Sequence, residues 1–161
     1  MFRLVAAMAL CACLFASPFQ GRVTDGQRGL VGVRVYPDRP RQPLHSGRVP
    51  WALTDAQGRF RLELAADDVV LAVEKEGWMR DLAPLAVWNR DLVLRPAPGF
   101  HRERVLAVRL ALPDRPAVRS DEDLRRLFFS RIPGEASVAS YLYEASRGSL
   151  QLEEGALLTL P

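Results

Sequence analysis

The stretch Thr54-Asp55-Ala56-Gln57-Gly58-Arg59-Phe60 limits the possible folds of this chain more than any other. An aspartate at the first turn position can accept hydrogen bonds from amides further along, and a glycine at the fourth takes a positive φ without a Cβ clash. Beyond the turn, Phe60, Leu62 and Leu64 alternate with Arg59, Arg61 and Glu63, the period of a half-buried antiparallel strand. The same period marks Leu30, Val31, Val33 and Val35 around Arg34, and the turn predicts direct pairing of the strands on its two sides. Further strands are expected at Val69–Val73 and Asp91–Leu94, separated by Glu74-Lys75-Glu76-Gly77-Trp78 and a loop around Ala83-Pro84, with no competing helical period. A length of 161 residues, 48% hydrophobic and 25% charged, allows one globular domain or a small domain and part of another.

The first residues read differently. Arg3 precedes an apolar run from Leu4 to Ala16 and a small-residue exit containing Pro18, the architecture of a secretory signal over residues 1–17. The run is shorter than the roughly 18–20 residues a membrane-spanning helix needs, so no permanent span is expected. Cleavage after Ala16 or after Ser17 remains open, and Leu10-Cys11-Ala12-Cys13 offers a lipoprotein alternative in which Cys13 is acylated. The expected location is secreted, periplasmic or cell-surface. Both cysteines fall in this segment, so a chain beginning after it has no disulfide framework and no thiol nucleophile. The net charge of +3 comes from 22 basic and 19 acidic residues, and the basic ones, all arginine except Lys75, are dispersed among acidic neighbours. Counterion release from a polyanion needs a concentrated patch, so no nucleic-acid partner is expected.

Gly21-Arg22-Val23-Thr24-Asp25, Gly29-Leu30-Val31-Gly32-Val33-Arg34-Val35, the Thr54–Phe60 turn and Glu76-Gly77-Trp78 resemble, in order and spacing, the carboxypeptidase regulatory-like domain. The resemblance covers about half the chain, residues 19–98, and Trp78 stands where many relatives have tyrosine. It implies a small antiparallel β-sandwich of the transthyretin type, a folding, spacing or adhesion unit without catalytic residues. The Pro- and Arg-rich stretch Pro37–Pro50 reads as a long surface loop.

Pro96-Ala97-Pro98-Gly99 cannot continue a strand ladder and marks the expected boundary to a second unit, residues 99–161. Arg104–Leu112 is apolar enough for a strand buried on at least one face, and Pro113-Asp114-Arg115-Pro116 follows as a turn. Ser120-Asp121-Glu122-Asp123 carries a helix start, with Leu124, Leu127 and Phe128 as the apolar stripe. A second helix is expected from Ala136 to about Arg147, with Val138, Leu142 and Ala145 at helical spacing and Gly148 as C-terminal cap. Leu150, Leu152, Leu158 and Leu160 predict a hairpin turning near Glu154-Gly155. The run from Ser137-Val138 through Tyr141 and Glu144 to Ser146-Arg147-Gly148-Ser149-Leu150 resembles the opening of the catalytic domain in secreted zinc metalloproteases of the immune inhibitor A type, over Arg104–Pro161. In that family this region is scaffold, and zinc is held further on by an H-E-x-x-H helix.

This sequence has no such motif. His45 and His101 lie in different units without companions at ligand spacing, so no metal ligand, catalytic residue or cofactor is assigned, and zinc is expected only in a full-length relative. Ser130, Ser137, Ser140, Ser146 and Ser149 lie near Asp121, Asp123 and Glu144, but with no G-x-S-x-G elbow they read as caps and helix surface. Trp51, Trp78 and Trp88 could line a sugar-stacking surface, though aromatic packing in a small core is the plainer reading. The expectation overall is a mainly β chain: a small sandwich, then a short α+β segment resembling an incomplete domain, whose strands would keep unpaired edges and uncovered apolar faces. Functionally it reads as an exported non-catalytic fragment of a secreted zinc metalloprotease, partnered by the rest of that protease. The alternative is a free-standing binding module for a glycan or a surface protein.

Overall fold

A computed structural model describes residues 18–39, 49–65, 68, 70–88, 91–110 and 119–160. The signal segment with Cys11 and Cys13, His45 with the middle of the Pro37–Pro50 loop, and the Pro113–Pro116 turn lie outside the described residues.

The chain is mainly β. Three strands, β1 (Pro18–Thr24), β4 (Arg59–Glu63) and β7 (Leu92–Val93), form a sheet in the order β4-β1-β7. Four more, β2 (Arg34–Pro37), β3 (Ala52–Leu53), β5 (Val70–Glu74) and β6 (Asp81–Pro84), form a second in the order β3-β2-β5-β6. Both sheets bury side chains in one core: Val23, Phe60 and Leu62 from the first, Val35, Leu71 and Val73 from the second, joined by Val33, Leu64 and Leu94. The second sheet is antiparallel throughout, but β1 pairs with β4 antiparallel and with β7 parallel, so the first is mixed where an all-antiparallel arrangement was expected. The expected alternation holds in β4, where Phe60, Leu62 and Leu64 are buried and Arg59, Arg61 and Glu63 exposed.

The Thr54–Phe60 turn forms, but it does not close a hairpin. Asp55 Oδ1 accepts from the amides of Gln57 and Arg59, Gly58 donates to the Asp55 carbonyl, and Gly58 sits at φ +77°. The flanking strands then diverge: β3 pairs with β2 in one sheet and β4 with β1 in the other. The reason is backbone contact at the corner. A Cβ on Gly58 would lie 2.2 Å from the Val23 carbonyl oxygen, and one on Gly29 would lie 2.1 Å from that of Gln57. Only two glycines let the chain cross here, and crossing carries it from sheet to sheet. Thr54 locks the corner, its hydroxyl accepting from Val33 N at 2.9 Å. Val31, expected in the β2 strand, falls on the preceding turn and is exposed.

In the second unit, β8 (His101–Leu110) and β9 (Leu150–Leu160) form a two-stranded parallel sheet, connected through α1 (Asp121–Phe129) and α2 (Val138–Ala145). Ser120 accepts from Asp123 N at the start of α1, and Leu124, Leu127 and Phe128 are half-buried as its stripe. The second helix is shorter than expected at both ends. Ser137 and Ser140 satisfy each other's backbone amides as a capping box, which fixes the start at Val138, and the Gly148 amide closes the end on the Tyr143 carbonyl. The hairpin expected near Glu154-Gly155 is absent: β9 is continuous, with a bulge at Gly155 that lets both halves pair with β8. Ten residues of ladder against one partner outweigh a local turn signal. The strand expected over Arg104–Leu112 begins at His101, and its central Ala107 is buried while Leu106, Val108 and Leu110 are exposed.

Candidate functional site

The outer face of the four-stranded sheet is where the described residues gather the most chemistry. Val70–Glu74 is buried at nearly every position, because Leu71 and Val73 point into the core while Ala72 and Glu74 point outward and are still covered. A strand buried on both faces needs a second layer, and here the segment Arg131–Arg147 supplies it. Val49 packs with Tyr36 and Ala72 and lies so close to Gly134 that a Cβ there would be 2.4 Å from its methyl group.

Arg34 and Glu74 are direct cross-strand partners, and Arg34 Nη1 reaches the buried Glu74 carboxylate at 3.1 Å and the Arg131 carbonyl at 2.7 Å. Tyr36 donates to the other Glu74 oxygen at 3.3 Å. Burial pushes the Tyr36 phenol upward, and the neighbouring Glu74 charge pushes the same way. Tyr143 is 1% exposed, carries the Arg131 guanidinium 4.1 Å above its ring and donates to the Lys75 carbonyl at 3.1 Å. Its phenol is likewise raised by burial first and Glu74 second. Arg80, its side chain only 10% exposed, bridges Asp38 at 3.1 Å and Glu144 at 3.2 Å, and its amide donates to the Arg147 carbonyl. Arg147 is the one non-glycine residue with positive φ among the described residues, as the turn after α2 requires.

Two open cavities flank this junction. One of roughly 580 Å³ is lined by Met79, Arg80, Leu82, Arg95, Glu144 and Arg147, and one of roughly 400 Å³ by Tyr36, Asp38, Arg131, Ser140, Tyr143 and Glu144. The first wall combines Met79, Leu82 and Leu94 with Arg80, Arg95, Arg147 and Glu144, and the second combines Ile132 and Pro133 with Asp38, Glu144 and the donating phenols of Tyr36 and Tyr143, Arg80 bridging Asp38 and Glu144 between them. Such groups can orient a polar ligand or hold two layers together.

The residues weighed from sequence scatter. Ser130 donates to Glu135, Ser137 and Ser140 cap α2, and Ser146 accepts from Leu150 N, so these hydroxyls serve local structure. Asp121 pairs with Arg109, Asp123 accepts from the Ser120 hydroxyl, and Glu144 holds Arg80. His101 is exposed, with Nδ1 3.0 Å from the Gly99 carbonyl and Nε2 3.8 Å from Glu103. Among the described residues no three His, Cys, Asp or Glu side chains converge as a metal set, and no helix is long and apolar enough to cross a membrane. The tryptophans do not line one surface. Trp88 packs edge-on to Phe19 and Phe60, Trp78 lies against the same core, and only Trp51 is exposed, with Arg34 over its ring. Tyr36, Glu74, Arg80 and Tyr143 escaped the sequence reading, although the unbroken apolar run Val69–Val73 was a usable signal, since a strand without alternation needs cover on both faces. Compared with protein families, curated proteins and solved structures, the chain finds no match.

Proposed function

We propose that this chain is an exported, non-catalytic segment related to secreted zinc metalloproteases, whose two-sheet unit is a carboxypeptidase regulatory-like sandwich bracing the α/β segment that follows. The observation that carries the reading is the interlock between the units. Tyr143 reaches Lys75, Arg131 receives Arg34, Arg147 receives Arg80, and Gly148 passes so close to Trp78 that a Cβ would lie 2.5 Å from its carbonyl oxygen. A spacer on a flexible tether would need none of these contacts, whereas a brace uses side chains of one unit to satisfy backbone carbonyls of the other. The resemblance of Ser137–Leu150 to the opening helix of the protease domain then gives the braced segment a scaffold role. A binding role at the junction is the second reading, favoured by the two cavities that share Glu144.

The test is metal analysis of the purified chain together with hydrolysis of a casein substrate, with and without a chelator. Neither stoichiometric zinc nor chelator-sensitive cleavage is expected. Finding both would overturn the non-catalytic reading.

A further inference from the structure

The larger cavity at the junction, roughly 580 Å³, gathers three arginines around two residues of backbone. Met79 N donates to the Arg95 carbonyl and Arg80 N to the Arg147 carbonyl, so residues 95 and 147 both flank the Met79–Arg80 segment. Their guanidiniums are not equivalent to the third. Arg80 is taken up by Asp38 and Glu144, whereas Arg95 and Arg147 are exposed and have no ion-pair partner among the described residues. Arg147 also sits at φ +53°, a conformation that glycine or asparagine adopts at lower cost, and an arginine stands there. The rest of the wall is largely aliphatic: Leu82 and Val93, 45% and 47% exposed, line it with Met79 and Leu94.

We propose that this cavity binds a small ligand carrying one carboxylate on an apolar body. The guanidinium forks of Arg95 and Arg147 meet the carboxylate, since their planar donor pairs match its two oxygens, and the apolar body covers Met79, Leu82 and Val93. The volume is that of a small-molecule cleft, about 300–1,000 Å³. A dianion such as a phosphate ester fits less well. Counting Asp38 and the exposed Asp81, three carboxylates stand against the three guanidiniums, so no surplus positive charge rewards a second negative one. A carboxylate of this kind ends a fatty acid and also an apolar peptide. The proposal rests on the binding reading of the junction and is independent of the protease-related one.

The probes are hexanoate and N-acetyl-leucine, titrated into the isotope-labelled full chain and followed by the shifts of its backbone amides in NMR, beside hexanamide, which lacks the charge, and acetate, which lacks the body. Hexanoate is expected to shift the amides of Met79, Leu82 and Val93 and to bind about ten-fold tighter than hexanamide and about ten-fold tighter than acetate. Arg95→Gln and Arg147→Gln are each expected to weaken it by about ten-fold. The tighter of hexanoate and N-acetyl-leucine assigns the source, fatty acid or peptide end. Hexanamide or acetate binding as well as hexanoate, or an affinity unchanged by both substitutions, overturns the proposal. If Arg147→Gln does not fold by circular dichroism, Arg95→Gln decides alone. Shifts confined to Gly134 and Ser140 also overturn it but assign binding to the second cavity, so the junction reading survives, whereas no shift at either place removes both.

Discussion

Leu71 in β5 and Leu106 in β8 are the same residue in the same kind of element, yet Leu71 is 0% exposed and Leu106 is 55% exposed. Both stand in strands with apolar neighbours. The difference lies in what faces them: β5 has the β4-β1-β7 sheet on one side and the Arg131–Arg147 segment on the other, while β8 has helix contacts on one side of its sheet. An aliphatic side chain gains from burial only when a second layer removes it from water, and a strand pattern identifies the candidate face without supplying the layer.

Truncating both leucines to alanine gives the largest separation. Leu71→Ala should cost about 3–4 kcal/mol, from lost transfer energy plus a cavity that the close-packed core cannot collapse. Leu106→Ala should stay within about 1 kcal/mol. Urea unfolding followed by circular dichroism measures both, and equal costs would mean that the β8 face is covered in solution. Next in size is the corner that joins the sheets. Gly58→Ala places a methyl group against the Val23 carbonyl at a φ of +77° and should cost about 3 kcal/mol. Gly99→Ala, at φ +64° with open space around it, isolates the strain alone and should cost about 1 kcal/mol. If the two substitutions cost the same, backbone crowding does not hold the corner.

Ion pairs divide along the same line. Asp68, its side chain 1% exposed, takes both Arg39 Nε at 2.6 Å and Nη2 at 2.8 Å and also accepts from Ala65 N, whereas Arg125 and Glu154 meet in the open. The Arg39 hydrogen bonds hold the Asp68 carboxyl below its ordinary 3.8, with Ala65 N acting in the same direction. A depressed folded value means that the stabilisation is complete above the unfolded value near 3.8 and is lost as pH falls below it through the folded value. Thermal melts between pH 6 and pH 2 should therefore show an acid loss that Asp68→Asn flattens, at a cost of about 2 kcal/mol at pH 7. Glu154→Gln should leave the acid limb in place, since a solvated pair contributes little. An acid limb unchanged by Asp68→Asn would show that another carboxylate governs it.

How much of this was legible follows from what acts locally. Alternation in Arg59–Leu64, the Asp55–Gly58 turn and the caps at Ser120 and Gly148 depend on a few neighbouring residues and are found where the sequence placed them, whereas the cap at Ser137 falls inside the helix expected from Ala136. Partner choice is non-local. The turn at Gly58 reads as a hairpin until Gly29 is known to pack against it, and Glu154-Gly155 reads as a turn until β8 is known to run alongside. The junction was hidden for a further reason: Glu74 and Tyr36 look like surface residues of β-strands, and only the covering Arg131–Arg147 segment turns them into a buried network.

The smallest effect tests that network from the other side. Tyr143→Phe removes one hydroxyl and leaves the ring, so the Arg131 contact and the packing survive while the Lys75 carbonyl keeps only the Trp78 amide as donor. The cost should be about 1 kcal/mol, the net worth of one hydrogen bond with an acceptor left partly unmet. Its informative property is location. If the hydroxyl braces the two units, hydrogen exchange should quicken on both sides of the junction, at Lys75–Trp78 in the first unit and at Gly148–Leu150 in the second. If exchange quickens within α2 alone, Tyr143 is an ordinary core residue of its own unit, and the layer over β5 is held chiefly by Arg34 and Arg80.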